Sequence, residues 1–141
     1  MPDAPLLLGT IPLVLGADPL RLPDPFLRPF VDGGVMTLWL DGCLALWPPL
    51  AWATVARHIA ELPLASADAR AFARVVFASA TPFTPDRILP SVALRAAAAI
   101  DGDAVLIGAG DRAELWSLER WDAVTRLRLD DLAAALGDAA V

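Results

Sequence analysis

Side chains capable of catalysis are scarce in this sequence, and those present stand alone. Cys43 is the only cysteine and His58 the only histidine among the 141 residues. Nucleophilic catalysis needs a thiol or hydroxyl beside a base, and no Ser/His/Asp grouping can be read from the spacing. A lone cysteine is more often an inert apolar residue than a nucleophile, and a lone histidine is more often packed or on the surface than a metal ligand. We therefore expect no enzyme, no metal site and no cofactor.

One glycine-rich stretch could cradle a phosphate group. Residues 108–110 read Gly-Ala-Gly and follow a predicted strand. In dinucleotide-binding proteins such a loop opens a helix, whereas here the next residues predict a hairpin. The dinucleotide-binding interpretation therefore fails.

Composition predicts one compact domain or two very small ones. Apolar residues make up 57% of the chain, the net charge is −6, and all eleven basic residues are arginine. The apolar N-terminus, residues 4–16, lacks a basic start and is interrupted by Gly9 and Pro12. It predicts buried strands rather than a signal peptide. No apolar run reaches the ~18 residues of a membrane span, so we expect a soluble, cytoplasmic protein.

Tryptophan placement indicates an internal repeat. The pattern Leu-Trp with a second Trp five residues later occurs twice, as ALWPPLAW at 45–52 and as ELWSLERW at 114–121. A shift of 69 residues superimposes both Trp pairs, and a shift of 67 superimposes Leu27-Arg28 on Leu94-Arg95. Matches in one order, with a single length change of two residues, indicate a duplicated half-domain. We expect the tryptophans to lie in the core rather than to form a ligand platform.

Each half predicts a β-hairpin followed by a helix. The β-rich runs are residues 35–40 and 43–47 in the first half, and 104–109 and 112–116 in the second. Asp41-Gly42 favours a two-residue type I′ turn because glycine tolerates positive φ, and Gly110-Asp111 lies at the matching place. Pro48-Pro49 and the N-cap Ser117 mark the starts of the two helices.

The remaining elements complete a unit that occurs twice. A short helical turn precedes each hairpin, a helix at about residues 68–80 joins the halves, and residues 130–140 predict a weak terminal helix or a frayed tail. The predicted fold is α+β, with two tandem half-barrels related by a pseudo-twofold axis. Its predicted parts are a first repeat at 1–64, a linker helix at 65–80 and a second repeat at 81–141.

With the repeat established, the chain resembles the MraZ family of bacterial transcriptional regulators, which have a double AbrB-like swapped-hairpin fold. The resemblance is carried by residues 86–121, DRILPSVALRAAAAIDGDAVLIGAGDRAELWSLERW, and in the first half by Leu27-Arg28, the hairpin, Cys43-Leu44 and the Trp pair. It implies a ring of subunits, associated with the nucleoid, that binds direct DNA repeats upstream of the division and cell-wall gene cluster.

The resemblance also implies which residues contact DNA. In the family an arginine in a strand-edge loop of each half binds phosphate or base edges and is held by an aspartate four residues earlier. Arg87 falls on this arginine in the second half, where Asp86 replaces a glycine and Phe83 replaces the aspartate. In the first half the position falls on Leu20, with Arg21 one place later. The candidate DNA-binding residues are therefore Arg87, Arg21 and Asp86.

Other interpretations of the arginines stay open. Arg87 could instead be a surface residue paired with Asp86 or Asp111. Arg28 and Arg95 recur in both halves, and we interpret them as structural residues that close the short helices, with proximity to DNA as the alternative.

Net charge motivates a second hypothesis for function. Phosphate contacts dominate affinity for DNA, and an acidic chain repels DNA at long range. The same fold could serve as an oligomeric protein-binding or structural module in which DNA binding is largely lost. The first hypothesis, a DNA-binding regulator, is preferred because local arginine contacts repeated around a ring add up.

Overall fold

The computed structural model describes residues 6–126 and 129–140. In these residues it has six strands, β1 (Thr10–Leu15), β2 (Gly34–Leu38), β3 (Leu44–Trp47), β4 (Thr81–Phe83), β5 (Gly102–Gly108) and β6 (Ala113–Ser117). The helices are α1 (Asp24–Leu27), α2 (Pro49–Ala60), α3 (Ala67–Ser79), α4 (Val92–Ala97), α5 (Leu118–Thr125) and α6 (Leu129–Ala140). Short 3-10 turns follow α1 and β2.

The strands form one antiparallel sheet whose order shows the duplication directly. The order is β1-β5-β6-β3-β2-β4, so exchanging the two halves of the chain maps each strand onto its counterpart. At the centre Ala45 pairs with Glu114, and these residues are 69 apart in sequence. Each is thus the other's counterpart, and a pseudo-twofold axis passes between them. The predicted α+β fold with a duplicated half is confirmed.

The two hairpins differ by one residue at their turns. In the second hairpin the Ala109 amide donates to the Arg112 carbonyl at 2.9 Å, which leaves the predicted two-residue turn at 110–111. In the first hairpin the Trp39 amide donates to the Cys43 carbonyl at 3.0 Å, so the loop has three residues, not the predicted two. Asp41 and Gly42 do have positive φ, at 65° and 84°, as the Asp-Gly pair predicts.

The short helices correct the alignment of the two repeats. Pro23 and Ser91 are the N-caps of α1 and α4, and they are 68 residues apart rather than 67. Phe26 and Leu94, the buried residues of these helices, are also 68 apart. The shift of 67 residues was wrong because it was based on matching Leu-Arg dipeptides. Structurally equivalent residues are those with the same burial in the two short helices, and these are 68 residues apart. Arg28 and Arg95 are consequently not counterparts.

Each face of the sheet carries its own apolar cluster. The larger cluster joins the short helices to the sheet, through residues such as Phe26, Phe30, Leu46 and Leu115. Cys43, Val105, Ile107 and Trp116 form the smaller cluster on the opposite face. Trp47 and Trp116 are only 1% and 3% exposed, which confirms the prediction that they are core residues, whereas Trp52 and Trp121 are only partly buried.

Capping and packing explain where the longer helices lie. Pro49 begins α2, and the Ser117 hydroxyl caps α5 by accepting from the Arg120 amide at 3.1 Å, as predicted. The joining helix α3 is capped by Ser66 and fixed to β2, where the Ser79 hydroxyl accepts from the Leu38 amide at 2.9 Å. The spacing of Trp121 and Val124 predicts that the apolar stripe of α5 continues at residue 127, which lies outside the described residues.

The two ends of the described chain form a strand and a helix. Of the two predictions for residues 130–140, the helix is the one found, as α6. Residues 10–15 form a strand, as predicted, but it is an edge strand in which only Leu15 is buried, so the prediction of buried strands is only partly correct. Within the described part of the chain, no helix is both long and apolar enough to cross a bilayer.

Candidate nucleic-acid interface

Two chain segments that carry the candidate DNA-binding residues pair with each other. Leu20 and Ile88 exchange both backbone hydrogen bonds, at 2.7 and 2.8 Å. Two residues later the Leu22 amide donates to the Pro85 carbonyl at 2.8 Å. The segment before α1 and the segment before α4 are therefore held side by side, although they are about 65 residues apart in sequence.

The second of these segments is a tight turn. The Arg87 amide donates to the Thr84 carbonyl at 3.1 Å, which closes a four-residue turn with Pro85 at its second position. Proline is favoured there because its fixed φ suits the turn. The turn presents Asp86 and Arg87 on the surface, and both are exposed.

The register places the three candidate residues opposite one another. Between the Leu20–Ile88 pair and the Leu22–Pro85 hydrogen bond, one residue of the first segment faces two of the second. Arg21 is that single residue, and Asp86 and Arg87 are the two it faces. Such a two-against-one arrangement is a β-bulge, which often redirects side chains at functional edges. Like charges at facing positions repel each other, and Asp86, which also faces Arg21, offsets only part of the repulsion between Arg21 and Arg87.

Neither arginine of this pair is neutralised in the described part of the chain. The ion pairs found there join Arg112 to Asp111 at 3.0 Å and to Glu114 at 2.9 Å. The interpretation that Arg87 pairs with Asp86 or Asp111 is therefore wrong for this structure, because Asp111 binds Arg112 instead. Arg21 and Arg87 are exposed and available to an external anion.

A groove of about 570 Å³ adjoins the paired segments. Arg21, Thr84 and Asp86 contribute to its walls, with Leu27 and Val31 as apolar neighbours. A second carboxylate, Asp32, also lines it. The groove thus combines one guanidinium with two carboxylates, so its own charge is mixed rather than basic.

Arg28 and Arg95 have different environments. The Arg95 guanidinium donates to the Leu15 and Gly16 carbonyls at 2.9 and 2.7 Å, which ties α4 to the end of β1 in the other repeat. Arg28 is exposed in the 3-10 turn after α1. Arg95 is therefore a structural residue, as predicted, and it acts through hydrogen bonds to backbone carbonyls rather than through an ion pair. Arg28 does not share that role.

Sequence reasoning missed a polar network at the pseudo-twofold axis. Glu114 is only 7% exposed, and its carboxylate accepts from the Trp116 indole at 3.0 Å and from Arg112 at 2.9 Å. The Arg112 guanidinium also lies over the rings of Trp39 and Trp47, 5.7 and 5.5 Å from their centroids. The signal that could have revealed this network is a glutamate in an otherwise apolar strand, since a buried carboxylate needs partners.

A further arginine joins the two repeats from α5. The Arg120 guanidinium donates to the Gly42 carbonyl at 2.9 Å and to the Ala97 carbonyl at 3.1 Å. It therefore connects the first hairpin turn with the end of α4. Arg95, Arg112 and Arg120 are all engaged within the protein, and this separates them from Arg21 and Arg87.

The two residues with the best potential for catalysis stand apart from this surface. Cys43 is buried, and its thiol contacts the Leu40 carbonyl at 3.4 Å. Burial, with a further contribution from the charge of Glu114, raises the pKa of this thiol far above its usual range, so it stays protonated. His58 is exposed on α2. Among the described residues no cluster of three or more His, Cys, Asp or Glu side chains could hold a metal ion.

Comparison with known proteins gives one consistent family. The family model described as "MraZ protein, putative antitoxin-like" matches residues 20–75. The chain is 39% identical over 111 residues to a protein of Thermomicrobium roseum named "Transcriptional regulator MraZ", covering 77% of this chain and 78% of that protein. A relative of the same name from Desulforamulus reducens is 40% identical over 106 residues, covering 73% and 75%. The corresponding protein of Lactiplantibacillus plantarum is 34% identical over 125 residues, covering 84% and 89%.

Proposed function

We propose a function for this chain from one premise: it belongs to the MraZ family. The relatives it matches are named transcriptional regulators, and we infer that this chain is likewise a transcriptional regulator that binds DNA. The observation that supports the proposal best is the pairing of residues 20–22 with residues 85–88. This pairing puts two exposed arginines, Arg21 and Arg87, at facing positions with no acidic partner in the described residues.

The proposed contact uses the charge and shape of the guanidinium group. Arginine binds a phosphate through two parallel hydrogen bonds and reads guanine edges in the same way. A phosphate between Arg21 and Arg87 would relieve the repulsion between them, so binding and local stability favour the same arrangement. Within the described residues Asp86 makes no ion pair with either arginine, so its proposed role is a direct contact in which its carboxylate accepts a hydrogen bond from a base amino group. Arg28 lies in the turn after α1 and would be peripheral to this contact.

Acidity of the whole chain limits the strength of any single contact. A net charge of −6 repels DNA at long range, whereas salt screens charges beyond ~8–10 Å and leaves close contacts effective. We propose that a ring of subunits presents several copies of the arginine pair to repeated DNA sites, so that weak contacts add up. The proposed target is DNA upstream of the division and cell-wall gene cluster, and the proposed location is the cytoplasm, in association with the nucleoid.

We propose that both repeats contribute to the DNA-binding surface. Each repeat, the first at 1–64 and the second at 81–141, contributes one segment to the surface that carries Arg21 and Arg87. The linker helix at 65–80 connects the two repeats. Because the surface needs a segment from each repeat, neither repeat alone would bind DNA. We propose no catalytic activity for the chain.

An electrophoretic shift experiment tests the proposal. Arg87→Ala is expected to weaken binding to DNA upstream of the protein's own gene at least tenfold. The matched control is Arg57→Ala, which removes the same charge from an exposed position on α2, away from the paired segments. Equal binding by wild type, Arg87→Ala and Arg57→Ala would reject the assignment of Arg87.

One observation favours the second candidate function. The groove beside Arg21 also contains Asp32 and Asp86, so a protein partner with basic side chains would suit it at least as well as phosphate. In that case the chain would keep the family fold and its oligomer but act as a protein-binding or structural module. Salt-sensitive binding of promoter DNA at nanomolar chain concentrations would exclude this alternative.

A further inference from the structure

A symmetric backbone pair joins the two segments that carry the arginines. Leu20 and Ile88 exchange both backbone hydrogen bonds and are 68 residues apart, the offset that also separates the N-caps Pro23 and Ser91. Each is therefore the other's counterpart, and the pseudo-twofold axis passes between them too. Because the axis relates the two sides of this pair, the residue that follows Leu20 can be compared with the residue that follows Ile88.

The residues beside this pair differ between its two sides. With the offset of 68 residues, Leu89 is the counterpart of Arg21, and Pro19 is the counterpart of Arg87. One side of the axis therefore carries two guanidinium groups, and the other side carries two apolar side chains. The exposed carboxylate of Asp18 adjoins the apolar pair and disfavours phosphate there. A ligand for the second side must therefore be apolar where it touches Leu89.

Leu89 points away from the protein core. Its neighbours Ile88 and Pro90 are both buried, whereas Leu89 is 45% exposed. Successive side chains of a strand point to opposite faces, so Leu89 shares the outer face with Arg87, two residues before it. Neither apolar cluster of the described residues includes Leu89, so core packing does not account for a leucine at this position.

Spacing on this outer face matches the spacing of base pairs. A strand rises ~3.3 Å per residue, so Arg87 and Leu89 lie about 6.6 Å apart along the segment. Successive bases of a DNA strand lie about 3.4 Å apart along the helix axis, so two residues span about two base pairs. The major groove admits a two-stranded β-ribbon, and the paired segments form a short ribbon of this kind. Side chains on its outer face would therefore reach base edges.

We propose that Leu89 determines part of the DNA sequence preference by contacting the C5 methyl group of a thymine in the major groove. Thymine is the base whose major-groove edge carries an apolar group, and apolar side chains recognise it. Arg21 and Arg87 supply affinity through phosphate or guanine, and Leu89 adds a choice of base about two base pairs away. The inference rests on the proposed DNA binding, because it assigns a further residue to the same surface.

Replacing thymine by uracil in the DNA removes this methyl group and leaves base pairing unchanged. The probes are two duplexes of the DNA upstream of the protein's own gene, one with thymine and one with uracil throughout. Fluorescence anisotropy measures the affinity for each. Wild type is expected to bind the uracil duplex about fourfold more weakly, which is the effect of one buried methyl group. Leu89→Ala is expected to bind both duplexes equally, about as weakly as wild type binds the uracil duplex.

Three further variants separate this role from misfolding and from the proposed function. Leu50→Ala removes a leucine that is 79% exposed on α2, and it is expected to keep the wild-type preference for thymine. Leu89→Met keeps an apolar side chain and is also expected to keep the preference. Arg87→Ala is expected to weaken binding to both duplexes without changing the ratio between them.

The outcomes are distinguishable. If Leu89→Ala keeps the wild-type preference, or if wild type has none, the inference is overturned, while weaker binding by Arg87→Ala would still support the proposed function. If wild type binds neither duplex, both are rejected.

Uracil placed at one thymine at a time locates the contact. We expect one position in each binding site to account for the loss of affinity, and Leu89→Ala to be insensitive to uracil at that position. A loss spread evenly over all thymines would come from altered DNA stiffness rather than from a methyl contact, and it would overturn the inference.

Discussion

Ala45 pairs with Glu114 at the centre of the sheet, and each occupies the other's place in the repeat. The small side chain on one side of the pseudo-twofold axis thus faces a buried carboxylate on the other. This asymmetry lets Arg112 and Trp116 converge on Glu114 without a second charge competing for the same space. The duplicated halves have diverged at their common axis, and the polar network there reaches the first half where Arg112 lies over the rings of Trp39 and Trp47.

Glu114→Ala is expected to destabilise the fold by about 3 kcal/mol. The substitution would leave the Arg112 guanidinium and the Trp116 indole without their acceptor in a buried site. Equilibrium unfolding in urea measures the change. The control is Asp111→Ala, which removes the exposed partner of the same arginine, since its side chain is 64% exposed. We expect that control to change the free energy of unfolding by less than about 0.5 kcal/mol, and a larger loss for Asp111→Ala than for Glu114→Ala would contradict this account.

Stability is expected to fall at alkaline pH because of Cys43. Burial raises the pKa of its thiol in the folded state, so the folded protein keeps a proton that the unfolded chain releases above about pH 8.5. The stabilisation is complete below that pH and is lost progressively as the pH rises towards the folded pKa. The chain has no lysine and no tyrosine, so few other groups titrate in this range. Thermal unfolding between pH 7 and pH 10.5 should show the decline in wild type and a flatter profile in Cys43→Ala; identical slopes would refute the assignment.

Arg95→Met is expected to destabilise the protein by about 1–2 kcal/mol while leaving DNA binding by the folded protein unchanged. The substitution keeps the apolar stem but removes two charged hydrogen bonds to the carbonyls of residues 15 and 16. Arg28→Ala, at an exposed position, is the control and should be close to neutral. Weaker DNA binding by Arg95→Met under conditions where it is fully folded would mean that this arginine also contacts DNA.

Gly108→Ala is expected to be strongly destabilising, by more than about 2 kcal/mol. A Cβ at residue 108 would come within 2.3 Å of the Leu7 and Leu8 backbone, so the N-terminal strand would have to move. Gly16→Ala is the matched control, because nothing lies within 4 Å of a Cβ there. Thermal unfolding of both variants checks the contrast, and equal melting temperatures would show that the strand is not held against residue 108.

The sequence predicted those features that depend on local chemistry. Some residue types strongly prefer one kind of structural position, and they identified the turns, the helix starts and the core positions. These residues are Asp41, Gly42, Pro49, Ser117 and the paired tryptophans. The length of the first turn was missed by one residue because strand pairing, rather than the Asp-Gly pair, decides where the ladder ends.

The arrangement of the candidate site depended on contacts distant in sequence. Nothing local to Arg21 or Arg87 reveals that Leu20 pairs with Ile88, and this pairing is what brings the arginines to facing positions. The alignment of Arg28 with Arg95 failed for a related reason. Both follow leucine, but only Arg95 reaches carbonyls in the other repeat.

The salt dependence of DNA binding tests the central claim most directly. Fluorescence anisotropy with promoter DNA, titrated from 50 to 200 mM salt, measures how many phosphate contacts the protein makes. We expect the logarithm of affinity to fall linearly with the logarithm of salt concentration, and Arg21→Ala/Arg87→Ala to have a clearly shallower slope than Arg57→Ala. Equal slopes for the two variants, or no binding by wild type at 50 mM salt, would contradict the claim that the paired segments form a DNA-binding surface.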